Sequence, residues 1–378
     1  MEAALAVPVA AVTVAAPPCL WLRNRTWDLV WISLSALLVG LPFAAYEIFQ
    51  YALGFPSVRD LFGIKPGDVL DVARNAVNAL IAIFIGGPHM YATFTRTALD
   101  GEFRHKHVPF LLGSLLIPVG VITLGMADFI LLITCFFFWA SVHIMHQIAY
   151  IIDSYNHRNP VPISWTGRAL DYVVTFSSLY PLGVWRMVND DFKIGQLHLY
   201  FPEFFKIKNS PILGWGIFLL AFAVFAVSLL LWVARTWGEH RRGALHSPKA
   251  LLMGLTIVVA FFIPAYHELD VAFQGFNTWH SFQYIGLTLY INQLRQKKQG
   301  IATPLIRGLS QEGKGWRFYL FNVGASLGTV LLIALLLVNR SWLGFGFDQC
   351  YYLVVLSVLL VHYFHDHMLF TEMEALKA

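Results

Sequence analysis

Charge is scarce in this chain. Asp, Glu, Lys and Arg together make up 13% of its 378 residues, about half the share of an ordinary soluble domain, which excludes a conventional water-soluble fold. Cysteine is scarcer still. Cys19, Cys135 and Cys350 are far apart and have no CxxC spacing, which excludes a disulfide framework and a thiolate metal site. The chain has no GK[ST] phosphate loop and no DDxxD pair, so P-loop chemistry and prenyl transfer lack their residues, and Ser–His–Asp hydrolysis is not expected. A net charge of +4 is too small to suggest a nucleic-acid partner. Met1 to Pro18 is rich in Ala and Val but lacks the basic start of a signal peptide. Residues 1–20 are therefore expected to be a flexible tail before a single transmembrane helical domain, 21–378.

What the chain has in abundance is apolar sequence. Hydrophobic residues account for 57% of it, and apolar runs long enough to cross a hydrocarbon core of about 30 Å recur throughout. The expected fold is all-α, a polytopic transmembrane helix bundle of about ten spans embedded in the lipid bilayer. Those spans fall near 27–48, 75–95, 109–127, 129–152, 169–188, 212–234, 250–267, 271–294, 318–338 and 349–371. The third and fourth are joined by a very short turn, Met126 to Asp128, and should form a tight hairpin. A polar and aromatic segment near 190–210 is expected to lie at the membrane surface as a helix or loop. With ten spans and an internal N-terminus, the 26 Lys and Arg residues divide 18 to 8 between the two sides, which places both termini in the cytoplasm.

Ionisable groups inside membrane spans are costly and mark functional sites. Here they are histidines: His89 on the second span, His143 and His146 on the fourth, His280 on the eighth, and His362 and His365 on the tenth. All four spans are even-numbered, so they run in one direction, and the histidines fall at similar depth. Independent core histidines have no reason to agree in depth, whereas ligands of a common metal do. The pairs 143/146 and 362/365 are spaced three residues apart, so each can present one helix face. Gln147, Tyr150, Asn277, Gln283, Tyr284, Asp366 and His367 stand nearby as hydrogen-bond partners for ring N–H groups. With histidine dominant and thiolate absent, the candidate metals are Fe, Zn, Cu or Ni, with non-haem iron, one ion or two, favoured. His105, His107, His157, His198, His240 and His246 fall in loops and are expected to be solvated.

The order of these motifs resembles the Brp/Blh family of bacterial and archaeal β-carotene 15,15′-dioxygenases. Gly87-Pro88-His89 is followed by His143-Ile144-Met145-His146, then by Thr278-Trp279-His280-Ser281-Phe282. A last-helix histidine follows, His367 before Met368-Leu369 or His362 by depth. The resemblance implies a membrane enzyme that holds non-haem iron through histidines, uses O2 to cleave a carotenoid, and resides in a bacterial inner membrane. The chain departs from the family pattern in two places. Tyr91, Ala92 and Thr93 stand where an Asp is expected, and the third motif has one histidine, followed by Gln283 and Tyr284.

The leading functional expectation is thus an iron-dependent oxygenase acting with O2 on a carotenoid, another isoprenoid or an acyl chain, with an electron donor where the chemistry requires one. Phe138, Trp139, Trp279, Phe282 and Tyr363 are candidate walls of its apolar pocket. The alternatives are a di-iron hydroxylase or desaturase, and a b-haem or quinone-reactive electron-transfer subunit. A transporter would show an internal repeat, and none is evident.

Overall fold

A computed structural model describes residues 20–159, 161–298, 300–339 and 344–371. All but the last residue of the expected N-terminal tail lies outside the described residues. Among the described residues the chain forms eleven principal helices: α1 (Arg25–Gly54), α2 (Pro66–Phe94), α3 (Val108–Ala127), α4 (Phe129–His157), α5 (Trp165–Ser177), α6 (Tyr180–Val188), α7 (Pro211–Arg241), α8 (Ser247–Ala265), α9 (Leu269–Lys298), α10 (Gly315–Val338) and α11 (Phe347–Thr371). The architecture is all-α, as expected.

Among the described residues, eight of these helices are long and apolar enough to cross a bilayer: α1 to α4, α7, α8, α10 and α11. They make this an integral membrane protein. The two remaining expected spans account for the difference from ten. The fifth is the pair α5 and α6, which meet at Ser178 and Leu179. Pro181 sits in the first turn of α6, where its missing N–H costs no helical bond. The eighth is α9, 30 residues long but polar along much of its length. Its Asp270, Gln274, Thr278, His280, Ser281 and Gln283 are all buried because α1, α2, α4 and α10 pack around it. A polar helix is tolerated in a membrane protein when other helices shield it from lipid.

The turn between α3 and α4 is the tight hairpin the sequence predicts. Asp128 closes it by capping α4, accepting a 2.9 Å bond from the Leu131 N–H. The 190–210 segment is a loop rather than a helix. It carries a two-residue hairpin, β1 (Lys193–Ile194) with β2 (Leu197–His198), and it is pinned to α4 by Tyr200, whose N–H donates to Thr134 Oγ1 at 3.0 Å.

The feature that does most to place the site is an irregularity in α2. Residues Ala82–Gly86 widen into a π-helical turn just before Gly87-Pro88-His89. Pro88 has no N–H to offer the Phe84 carbonyl four residues back. The Tyr319 hydroxyl of α10 takes that carbonyl instead, at 2.7 Å. Gly87 lies so close to α10 that an added Cβ would come within 2.4 Å of Ser326 Oγ. Turns of this kind often occur at functional sites, and this one delivers His89 to the centre of the bundle.

Candidate metal centre

Four helices each contribute one imidazole to a closed circuit. His89 of α2 lies 5.1 Å from His280 of α9, which lies 5.1 Å from His143 of α4, centroid to centroid. His143 is 5.4 Å from His362 of α11, and His362 returns to His89 at 4.5 Å. Each ring stands steeply to the next, with interplanar angles of 70° to 85°. All four side chains are buried, the most exposed being His143 at 8%.

Hydrogen bonds fix which ring nitrogen carries the proton. His89 Nδ1 contacts the Gly86 carbonyl, which can only accept, so Nδ1 must donate and Nε2 keeps its lone pair. Ser281 Oγ lies 2.9 Å from the same Nδ1 and donates its own proton to Asn277 Oδ1 at 3.2 Å. His362 Nδ1 lies 2.6 Å from Thr93 Oγ1, whose proton goes to Asp366 Oδ1 at 3.0 Å. Thr93 therefore accepts from His362, and His362 Nε2 is left bare as well. The Nε2 atoms of His89, His143 and His362, both ring nitrogens of His280, and Asp366 Oδ2 are buried without a protein partner, as is His365 Nε2 outside the circuit. Buried polar atoms almost always find partners, so this concentration of orphans is what a missing ligand would leave.

The spacing suits a cation. The ligand atoms of His89, His280 and His362 lie within 4.8 Å of one another, and so do those of His143, His362 and Asp366. The two triads share His362. Because Thr93 occupies its Nδ1, His362 has one lone pair to give and can serve one ion at a time. We therefore treat the triads as overlapping parts of a single site. Asp366 is held facing it by the Tyr284 hydroxyl, which donates to Oδ1 at 2.5 Å, and its Oδ2 lies 3.5 Å from His362 Nε2 and 3.8 Å from His143 Nε2.

Two expected ligands are not brought into the circuit. His365 Nδ1 pairs at 3.0 Å with Thr97 Oγ1, which donates to the Thr93 carbonyl, and its ring packs against Phe94 and Phe110. His146 is only half-buried. Three residues along a helix is a 60° offset from a full turn, enough at this radius to turn His146 and His365 away from rings that His143 and His362 face. His367 is exposed and supports no ring in the circuit.

Of the expected hydrogen-bond partners, Tyr284, Asp366 and Asn277 do serve the site. Gln147 instead donates to the His280 carbonyl at 3.1 Å, and Gln283 donates to the Ile32 carbonyl at 2.7 Å. Tyr150 lines a polar cavity beside Asp153 and Arg168. Among the expected pocket walls, Tyr363 stacks on His143 at 3.8 Å. Trp279 is core packing, and Phe282 stacks on Trp31. Phe138 and Trp139 point outward, 42% and 63% exposed. His246, expected in solvent, is buried, and its Nδ1 accepts the Lys249 N–H at 3.3 Å.

Residues missed in the sequence are Thr93, Thr97 and Ser281. His89, Thr93 and Thr97 are spaced four apart, so a threonine stripe continuing the histidine's face was the available sign. Gly324-Ala325-Ser326-Leu327-Gly328 has the GxSxG spacing of a nucleophile elbow. Ser326, however, lies mid-helix and donates to the Asn322 carbonyl at 2.8 Å, which is not an elbow.

A cavity of about 30 Å³ touches His89 and is walled by Gly86, Gly87, Phe136, Phe273 and Asn277. No protein-family model, curated protein or solved structure matches the chain.

Proposed function

We propose that this chain is a membrane-embedded, histidine-ligated non-haem iron oxygenase that acts with O2 on a long apolar substrate, a carotenoid or other isoprenoid or an acyl chain. The observation that carries the reading is the circuit of four buried imidazoles, whose ligand atoms gather in two triads, His89–His280–His362 and His143–His362–Asp366, that share His362. His89, His143, His280 and His362 would hold the iron, with Asp366 Oδ2 the nearest oxygen ligand. Neutral nitrogen donors with one carboxylate suit iron among the candidate metals. When bound, iron would supply the binding and activation of O2.

The rest is done by the chain's own residues. Thr93, Gly86 and Ser281 hold the protons of His362 and His89 on Nδ1, away from the centre. Tyr284 and Thr93 hold the Asp366 carboxylate in one orientation. Phe136, Phe273 and Tyr363 keep the surroundings apolar and exclude water, which limits stray oxidation. Rings 4.5 to 5.4 Å from their neighbours favour a bare ion over a porphyrin, which would need a plane between them. Dioxygenation would need no external reductant, whereas hydroxylation would need a two-electron donor, so dependence of turnover on reductant separates the two. The Brp/Blh-like motif order, ten spans counting α9 and the α5–α6 pair, cytoplasmic termini and a bacterial inner membrane complete the proposal.

Elemental analysis and an absorption spectrum of detergent-purified protein test it. One iron per chain and no Soret band are expected. Protein that carries no transition metal after iron-replete expression would overturn the reading, and a Soret band would favour the b-haem alternative.

A further inference from the structure

Beside the imidazole circuit, α3, α4 and α11 leave an open groove of about 390 Å³. Ile117, Gly120, Leu124, Cys135, Trp139 and Leu360 are among its walls. Its lining holds no charged side chain, and its residues occupy the second half of α3, the first half of α4 and the second half of α11. Trp139 at 63% exposed and Phe364 at 42% mark where it opens out of the bundle. All three helices are long and apolar enough to cross a bilayer, so a groove opening outward between them faces lipid.

Two of its wall residues also face the candidate centre. Tyr363 lines the groove and stacks on His143 at 3.8 Å. Phe136 lines both the groove and the small cavity that touches His89. One layer of aromatic rings therefore separates the groove from the imidazoles. The other nearby apolar cavity, about 100 Å³ beside Phe138 and Gly183, meets the central one only at Phe273 and has Arg186 in its wall.

We propose that the α3–α4–α11 groove is the lateral entrance and docking track for the hydrocarbon chain of a membrane-dissolved substrate, with Phe136 and Tyr363 as the gate that admits it to the centre. This rests on the oxygenase reading for what happens beyond the gate. The occupant follows from the lining: the groove offers dispersion and burial but almost no hydrogen bonding, so a charged or water-borne ligand gains nothing there. A tyrosine and a phenylalanine are suited to such a gate because a ring can turn about two torsions without breaking a helix.

Gly120 gives a clean test. A Cβ added there meets nothing within 4 Å, so Gly120→Phe fills the groove without displacing the core. Gly113, on the same helix and equally open, is not among the groove residues, which makes Gly113→Phe the control. The probe is palmitic acid carrying a mid-chain diazirine, photolysed in phosphatidylcholine vesicles with the full-length protein, followed by peptide mapping and metal analysis. Labelling should concentrate on peptides spanning 117–139 and 360–364. Gly120→Phe should bring it down to the level of the lipid-facing helix α7, while Gly113→Phe leaves it unchanged, and metal content should be the same in all three proteins. Labelling that Gly120→Phe leaves intact, or that is no denser than on α7, overturns the proposal. So does chain-to-chain crosslinking through the groove, which would make a second copy the occupant. Groove labelling in a protein that binds no metal would keep the groove as a lipid site and sink the oxygenase reading alone.

Discussion

Replacing Thr93 with Val tests the central reasoning about the site. The Thr93 hydroxyl accepts the His362 Nδ1 proton at 2.6 Å and donates to Asp366 Oδ1 at 3.0 Å, all at buried positions. The hydroxyl also lies 2.6 Å from that of Tyr284, so valine keeps the shape and removes all three contacts. The stranded His362 Nδ1–H then costs about 1–3 kcal/mol. The ring can relieve that cost by moving its proton to Nε2, the atom that would meet a metal, or by rotating away. Either way the free energy is taken from metal binding, a loss of about 5-fold to 150-fold in affinity. Losing an outer hydrogen-bond partner of a ligating histidine typically costs about 10–100-fold, so two routes to the number agree. Competition against a graded series of chelators measures it. Thr93→Ser keeps the hydroxyl and should restore most of the affinity. Thr97→Val removes the equivalent partner of His365 at 3.0 Å and should leave metal affinity unchanged, because His365 lies outside the circuit. Wild-type affinity in Thr93→Val, or an equal loss in Thr97→Val, would refute the assignment.

Three further outcomes are expected. Alanine at His89, His143, His280 or His362 should each abolish stoichiometric metal binding, whereas alanine at His146 or His365 should leave one ion per chain; elemental analysis separates the two groups. Gly87→Ala should destabilise the protein by about 1–3 kcal/mol, as overpacking does, because its Cβ would lie 2.2 Å from the Ala82 carbonyl and 2.4 Å from Ser326 Oγ. Thermal unfolding in detergent should show the loss, with part of it recovered by adding Ser326→Gly. Asp190, in the surface loop, is pulled down from 3.8 to about 2 by hydrogen bonds from Lys206 and Lys208, so its contribution is present above 3.8 and lost as pH falls through 2. Amide protection across 190–208 should therefore hold from neutral pH down to that window and then fall. Asp190→Asn, which keeps a residue tolerant of the φ of 64° found here, should flatten the dependence. Protection that falls in Asp190→Asn at the same pH as in wild type would contradict this.

Much of the fold was legible because membrane helices announce themselves by length and apolarity. The α3–α4 hairpin, with Asp128 placed to cap, could be read almost residue by residue. The meeting of His89, His143, His280 and His362 was legible too, since in a ten-span count their spans run in one direction and carry the histidines at similar fractions of their length. Rotation about each helix axis was not. His146 and His365 share spacing with true circuit members, yet one helix rotated by a fraction of a turn separates them, and only packing sets that rotation. The π-helical turn at Ala82–Gly86 shifts the register of everything after it on α2, and the partner of its Phe84 carbonyl, Tyr319, is distant in sequence. The break between α5 and α6 was hidden because apolar runs continue across it. Thr93 stood out in the sequence only as a departure from a motif. Its neighbours show that a hydroxyl there does a job for which no carboxylate is needed, because Asp366 arrives from α11.

The polar residues of α9 explain why the vacant lone pairs are informative. From Asp270 a bonded series runs along the helix towards the circuit. Arg74 donates to Asp270 at 3.1 Å and Asn78 donates to it at 3.3 Å. Gln274 donates to Asn78 at 3.0 Å, and Asn277 to Gln274 at 3.2 Å. Ser281 donates to Asn277 at 3.2 Å and lies 2.9 Å from His89 Nδ1. Buried in a bundle with little water, each of these groups would cost several kcal/mol if left alone, and each has a partner. The series stops at the far side of the His89 ring, at an Nε2 with nothing to meet. Arg74 Nε and, further along α9, Asn292 Oδ1 also lack a partner, but they are single atoms, whereas several bare nitrogens and a bare carboxylate oxygen gather at the circuit. In the oxygenase reading the last partner of this arrangement is an ion, so replacing the four histidines with apolar residues of similar size should leave a protein that folds at least as well but binds no metal, as elemental analysis and thermal unfolding in detergent would show.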